Sequence, residues 1–539
     1  MAIIDRRISK TRTKSKILVG LFLMINLVLS LMILLSQPQQ SNDAPVQLPA
    51  PAGIVYTMHA PICIEGNAGF LGPNASTGIS WGSGTASDPY IISDWNVNAS
   101  SANGIQILNT TAHFIIRDCY IHDGGSNYFG IILINSMNGT LRNNDCLGNY
   151  GGMGLSLSNS TTLINNNCSD NIYGMVMVSS SNNTLIDNKC LNNGNASSGV
   201  GIEIVGSNNI TLVNNTCSNA WKSSDEYGIV IFYSDNCILN NNTCNSNNGA
   251  GIWTAFSGNN TLINNNCSND GYGILLFFYS NDNTLSNNNC SNNLDGVGIA
   301  LGYLSNNNTL SDNTCLNNAY GIEIGYSYND SLINNTCSSN NGCGISLFYS
   351  NHNTVIDNIC SNNVAGTLII DGMGIWLYES NDNTLSDNNC SYNSNNGVQL
   401  LYSNNNSLFG NQLFINADYG VNISYESSNN TIWNNTYIGN NGASSTYDPN
   451  HTQAYDDCAN NWWNSSSGYG NWWSDWTAPD NNWDGIVDNP YNISGSAGAK
   501  DHYPRTVPGT PIPEPSILVL APLMIAAFLL VTRRARKKE

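Results

Sequence analysis

Charge is what this sequence has least of. Asp, Glu, Lys and Arg together make up 10% of 539 residues, which excludes a polyelectrolyte chain kept open by self-repulsion. Basic residues are scarcer still. Of 17 Lys and Arg, six fall in the first sixteen residues and five in the last seven, leaving Arg117, Arg142, Lys189, Lys222, Lys500 and Arg505 between them. Set against 35 acidic residues in the same stretch, the body carries about −29. Such a surface offers phosphates no track and excludes nucleic acid as a partner; cations are its natural small partners. Histidine is also rare, six in all and scattered. No helical period appears in residues 60–130, where short β-branched runs alternate with Gly, Asn, Asp and Pro, the pattern of strands and tight turns.

What the sequence has in abundance is repetition. Residues 320–341 read YGIEIGYSYNDSLINNTCSSNN, and close relatives of this unit recur about fourteen times, marked by Gly104, Gly130, Gly154, Gly174, Gly201, Gly228, Gly251, Gly273, Gly298, Gly321, Gly344, Gly374, Gly397 and Gly420. A period of 20 to 30 residues is that of a solenoid, whose coils bury their apolar faces on one another. At about 4.8 Å per coil the body is on the order of 65 Å long. An apolar column (Leu141, Leu163, Leu185 and their equivalents) is followed three residues later by Asn144, Asn166, Asn188, Asn215, Asn242, Asn265, Asn288, Asn313, Asn335, Asn358 and Asn388, and beyond them Asn411 and Asn435. Strand side chains alternate with period two, so an offset of three requires a bend. Amides stacked at that corner can bond from coil to coil as a ladder. Pairs such as Ile322 and Ile324 point inward, and Tyr233, Tyr326, Tyr349 and Tyr402, sharing their parity, are expected to close the same side.

Sixteen cysteines would suggest disulfides in an exported chain. Eleven, from Cys146 to Cys390, occupy one repeat column that Leu413 and Tyr437 continue. The position therefore asks for an apolar group, and a buried thiol serves as a small hydrophobe. In-register side chains run parallel, which disfavours bridging.

The ends frame this body. Residues 1–16 form a basic cytoplasmic n-region, and 17–36 an apolar signal peptide or signal anchor, followed by a linker over 37–59. A Pro-rich linker over 506–515 precedes an apolar helix over 516–532 and a basic cytoplasmic tail over 533–539. Both ends read as hydrophobic membrane helices and place the body outside. Pro513, Glu514 and Pro515 ahead of the apolar run and basic tail resemble the PEP-CTERM and PEF-CTERM sorting signals, which imply processing by an exosortase or archaeosortase and surface attachment; a plain anchor helix is the alternative.

The body has an N-terminal cap over 60–103, repeats over 104–445 and a Trp-rich C-terminal cap over 446–505. GSGTASDPYII at 82–92, FIIRDC at 114–119, and the tail motifs GNWWSDW (470–476), DNNWDGIVDNPY (480–491) and DHYP (501–504) resemble the NosD-type repeat proteins of the pectin-lyase-like superfamily. The resemblance runs from the first cap to the last. It implies an all-β, right-handed parallel β-helix of about 14 coils, of the archaeal surface type, and it raises a copper role that six scattered histidines and buried thiols make unlikely.

Three groups of residues could carry chemistry. Arg117, Asp118, His122 and Asp123 combine a cation, an imidazole and two carboxylates within seven residues, the best catalytic candidate by composition; a polar turn is the plainer reading. The column two residues after the repeat glycine holds Trp253 and Trp376, aromatics that could stack on sugars in a glycan-binding groove. It also holds Glu203 and Glu323, five coils apart, too far for a hydrolase pair. Asp480, Asn482, Asp484, Gly485 and Asp488 fit the early positions of a calcium loop, although Tyr491 stands where an EF-hand has Glu. Calcium is thus the one cofactor the sequence raises. Six tryptophans, Trp462, Trp463, Trp472, Trp473, Trp476 and Trp483, are expected to plug the open end. Asn-X-Ser/Thr sites such as Asn98, Asn138 and Asn334 arise automatically in so Asn-rich a repeat, so each is weak evidence, and glycosylation of some is the expectation for an exported body. The expected function is that of a membrane-anchored envelope or adhesion component binding glycans. The alternatives are a polysaccharide lyase or hydrolase and a NosD-like copper protein.

Overall fold

The computed structural model describes residues 56–70, 76–195, 198–220, 226–366 and 372–508. Both apolar end segments lie outside these residues, and among the described residues no helix is long and apolar enough to cross a membrane. The body is an all-β parallel solenoid of about fourteen turns with three faces. Sheet one has 16 strands, from Ile62–Glu65 through Tyr320–Gly325 to Ala454–Asp456. Sheet two also has 16, most of them three residues long, such as Ser331–Ile333. Sheet three appears as short strands, among them Tyr120–His122 and Asp145–Leu147, joined along the stack by single bridges such as Thr314↔Thr336. Apart from an antiparallel first pair in sheet two, Ile79–Trp81 with Tyr90–Ser93, pairing in both long sheets is parallel and in register: Ile322 lies beside Ile345 and Leu332 beside Val355.

One coil shows why the repeat folds this way. Ile322, Ile324, Leu332 and Cys337 all point inward and are fully buried. Between sheets two and three stands an Asn doublet whose members have different tasks. Asn334 adopts φ 53°, a left-handed conformation that Asn tolerates better than most residues and that turns the corner. Asn335 then points into the stack, where its backbone N–H and Nδ2 both donate to Oδ1 of Asn358, at 2.9 and 3.0 Å, while Nδ2 also donates to the carbonyl of Leu310. The same side-chain bond links Asn144 to Asn166 and continues through the column to Asn435 and Asn471. The repeat glycine answers to a close approach: a Cβ on Gly321 would stand 2.3 Å from the carbonyl oxygen of Gly344 in the next coil.

The structure holds more ladders than the one the Leu-to-Asn offset points to. Asn318, Asn340, Asn363 and Asn393 form another at the corner after sheet three, and Ser305, Ser327 and Ser350 hand hydroxyl oxygens to successive backbone N–H groups. All sixteen cysteines are free thiols, fifteen of them buried. Cys119 occupies the first rung of the Asn ladder, where its N–H donates to Asn144 Oδ1.

The ends are closed by aromatic rings. Phe70, fully buried, stacks on Tyr90 at 4.6 Å over the first coils. At the other end Tyr437, Trp473 and Tyr491 stack at 4.0 and 3.9 Å, and Trp463 lies beside them. Buried Asp456 and Asp501 accept the indole N–H of Trp463 and Trp473, both at 3.0 Å. Of the six cap tryptophans these two form the plug; Trp483 is 88% exposed and Trp462 50%.

Candidate functional site

Three rows of side chains point outward from sheet one. The middle row runs Val176, Glu203, Val230, Trp253, Leu275, Ala300, Glu323, Ser346, Trp376, Gln399. The two tryptophans expected to stand open for sugar stacking do not: Trp253 is 7% exposed and Trp376 6%. The flanking rows close over them. Tyr227 and Phe232 meet Trp253 at ring-centroid distances of 5.0 and 4.8 Å, and Phe348 meets Trp376 edge-on at 4.9 Å, with Met373 and Cys343 packed beside it. Coils about 4.8 Å apart bring bulky outward neighbours into contact with each other, so the face buries itself.

The exposed aromatics lie one step further on, at the corner between sheets one and two. Tyr233, Tyr326, Tyr349 and Tyr402, expected to face inward, adopt φ of 49°, 55°, 52° and 51°. A left-handed residue breaks the two-residue alternation, and the rings swing outward instead. With Phe256, Phe278, Tyr303, Tyr378 and Tyr425 they form a ridge across nine successive coils, with centroid spacings between 4.8 and 6.3 Å. Tyr233 is 50% exposed and Tyr425 58%. The ridge is about 38 Å long at the coil spacing. A signal for it exists in the sequence, namely an aromatic just ahead of the ladder serine in F-Y-S (232–234), A-F-S (255–257), G-Y-S (325–327) and L-Y-S (401–403).

Sheet one is also one-sided in charge. Its strands carry Glu65, Glu203, Glu226, Glu323 and Asp456 and no Lys, Arg or His. Glu203 is buried and Glu323 half-buried, and removal from water pushes each carboxyl up to about 7. Burial raises the Tyr173 phenol, and the Glu203 charge adds to it; Tyr150 feels burial, Tyr173 and Glu203 in that order. Tyr272 stands likewise toward Glu323. Next in register to Glu323, the Ser346 hydroxyl and the indole N–H of Trp376 are buried with no hydrogen-bond partner among the described residues.

The group of Arg117, His122 and Asp123 is divided by the fold. Arg117 ends a strand of sheet two and pairs with Asp118 at 2.7 Å, whereas His122 belongs to sheet three. His122, buried, hydrogen-bonds Asn96 Oδ1 through Nε2 at 2.8 Å and stacks on Tyr120, while its Nδ1 lies 2.9 Å from Asp123 Oδ2 without the geometry of a hydrogen bond. A corner at Asp118, φ 53°, separates the two pairs. In the C-terminal cap, Asp480 accepts from Gly485 N–H, Asp484 from Ile486 N–H and Asp488 from Asn481 N–H, while Asn482 bonds Asp484. These carboxylates serve the loop's own turns. Among the described residues no three His, Cys, Asp or Glu are gathered as metal ligands.

Comparison with known proteins fits this architecture. The family model described as right handed beta helix region matches residues 70–217 and 200–358, and the model described as periplasmic copper-binding protein (NosD) matches 295–478. Curated protein sequences return no match. Among solved structures, the periplasmic alginate epimerase AlgG is similar at 15% identity and TM-score 0.30, covering 69% of this chain and 80% of that one. The surface adhesin PfbA of Streptococcus pneumoniae is similar at 13% and 0.33, covering 63% and 84%. An A-module of an Azotobacter vinelandii mannuronan C-5 epimerase is similar at 12% and 0.29, covering 74% and 90%. Because the first model spans more than half of the 539 residues, the chain belongs to the right-handed β-helix family.

Proposed function

We propose that this is an exported, surface-attached β-helix protein that binds polysaccharide along sheet one and its flanking ridge. The observation that carries the reading is the ridge itself. Nine aromatic groups recur at the spacing of the coils, Tyr233 and Tyr425 exposed and the rest half-buried. A repeating ligand meets the same contact at each step, apolar ring surface against the C–H face of a sugar and a hydroxyl for its oxygens. The acidic body and the apolar ends support placement outside the cell, with the C-terminal segment as the point of attachment. Calcium at Asp480, Asn482, Asp484 and Asp488 is a secondary proposal, checked by whether calcium raises the melting temperature of the cap.

A glycan array probed with the full chain, with turnover assayed on every hit, tests the reading. Binding without turnover, lost in the Tyr326→Ala/Tyr349→Ala variant, is expected. Binding unchanged in that variant removes the ridge from the account. Turnover of a hit, abolished by His122→Ala, would instead make the protein a polysaccharide lyase or hydrolase.

A further inference from the structure

The outer face of sheet one presents a charge that no described residue on it answers. Glu203 is 8% exposed, points outward, and has no hydrogen-bond partner among the described residues. Its register neighbours are Val176 and Val230; Tyr173 stands on the strand paired with its own, and its charge raises the phenols of Tyr173 and Tyr150, in each of which burial is the larger cause. Five coils away Glu323 repeats the arrangement between Ala300 and Ser346, with Tyr272 in reach of its charge. Every Lys and Arg among the described residues lies elsewhere: Arg117 and Arg142 on sheet two, Lys189 on sheet three, Lys500 and Arg505 in the C-terminal cap.

A carboxylate whose charge reaches aromatic rings, with every described cation elsewhere, is a setting that recognises an ammonium group. The charge pairs with the carboxylate, and the ring quadrupoles attract the cation. Resting on the carbohydrate reading above, we propose that Glu203 with Tyr150 and Tyr173, and Glu323 with Tyr272, are two ammonium subsites, and that the bound glycan is a polymer of amino sugars with free amines. Five coils separate the subsites by about 24 Å, so one extended chain reaches both and a single sugar does not. A uronate polymer would set carboxylate against carboxylate in a partly dehydrated groove and is excluded by the same charge.

Titration calorimetry of the full chain tests this with three probes: β-1,4-linked glucosamine oligomers, their fully N-acetylated counterparts, and oligouronates. Glucosamine oligomers are expected to bind at least tenfold tighter than the acetylated ones, with oligouronates not binding. Glu203→Gln and Glu323→Gln should each weaken glucosamine binding about tenfold, and the double variant should erase the preference while leaving acetylated oligomers unaffected. Gln keeps the side-chain shape and removes a buried charge, so thermal unfolding of these variants is expected at or above the temperature of the parent and separates lost binding from lost fold. Equal affinity for the charged and acetylated oligomers, or a preference that survives the double variant, overturns the ammonium subsites and leaves polysaccharide binding standing. Tighter binding of oligouronates also overturns them. Failure of the full chain to bind any glycan on the array overturns both readings.

Discussion

The two long sheets have the same number of strands and, from the second strand of sheet two onward, the same parallel register, yet their outer faces differ. Sheet two shows nearly the same residues in each coil: one register row holds Thr184, Thr211, Thr261, Thr284, Thr309 and Thr354, all half-buried, interrupted by Ile238 and Ser331. Sheet one, over the same coils, varies from Val176 through Glu203 and Trp253 to Ser346 and Trp376, and it adjoins the aromatic ridge. A row of Thr is what strand propensity alone would select for a pleated surface. The comparison separates side chains that build the stack from those free to do something else, and points to sheet one for function.

The strongest way to sharpen this contrast is to break the interior that both sheets share. Asn265 accepts from the N–H and Nδ2 of Asn242 and donates to Leu239 O and Asn288 Oδ1, each at 3.0 Å. Asn265→Leu strips these partners at once and is expected to cost about 3–5 kcal/mol, read as a large drop in thermal midpoint. A carboxyl in a second ladder gives the next effect. Asp270 accepts from Asn247 at 2.7 and 3.0 Å, and burial pushes it from 3.8 up to about 9. Because its folded pKa is raised, the contribution of Asp270 to stability is fully present below about pH 4 and is lost as the pH climbs toward 9. Asp270→Asn should therefore raise the melting temperature by an amount that grows across that range and vanishes below it.

Effects on the outer faces are smaller and of a different kind. Tyr326→Ala/Tyr349→Ala is expected to weaken glycan binding at least tenfold, about 1.4 kcal/mol, with a modest change in stability. Thr309→Ala/Thr354→Ala, on sheet two with the coil of Ser331 between them, should leave binding unchanged and move stability by no more than about 0.5 kcal/mol per site. The smallest expected effect is that of Arg117→Ala. Its ion pair with Asp118 is partly solvated, and thermal unfolding should register less than about 1 kcal/mol.

Much of the fold was legible in the repeat because stacking imposes the same requirement on every coil. The inward Ile and Leu, the thiol column and the Asn335 ladder all follow from period and parity. The outward face was harder to read because parity fails at left-handed residues. Tyr326 and Tyr349 sit at such corners, so a rule of strict alternation turned them inward when their rings lie outside. Trp253 and Trp376 were correctly placed on the outer row, but what covers an outward side chain depends on neighbours one coil away, and Phe232 and Phe348 do the covering. Arg117 and His122 are close in sequence and separated by a corner at Asp118, which their spacing could not show. The one-sided charge of sheet one was present in the sequence from the start, but only the register gathers Glu203 and Glu323 onto one face, whose strands carry no Lys, Arg or His among the described residues.

The most direct test of the account is a crystal structure of the full chain with an oligosaccharide selected from the array. Density for the sugar chain running along sheet one beside Tyr326 and Tyr349 is the predicted result. Sugar bound on sheet two, or at His122 on sheet three, with sheet one bare, would contradict it.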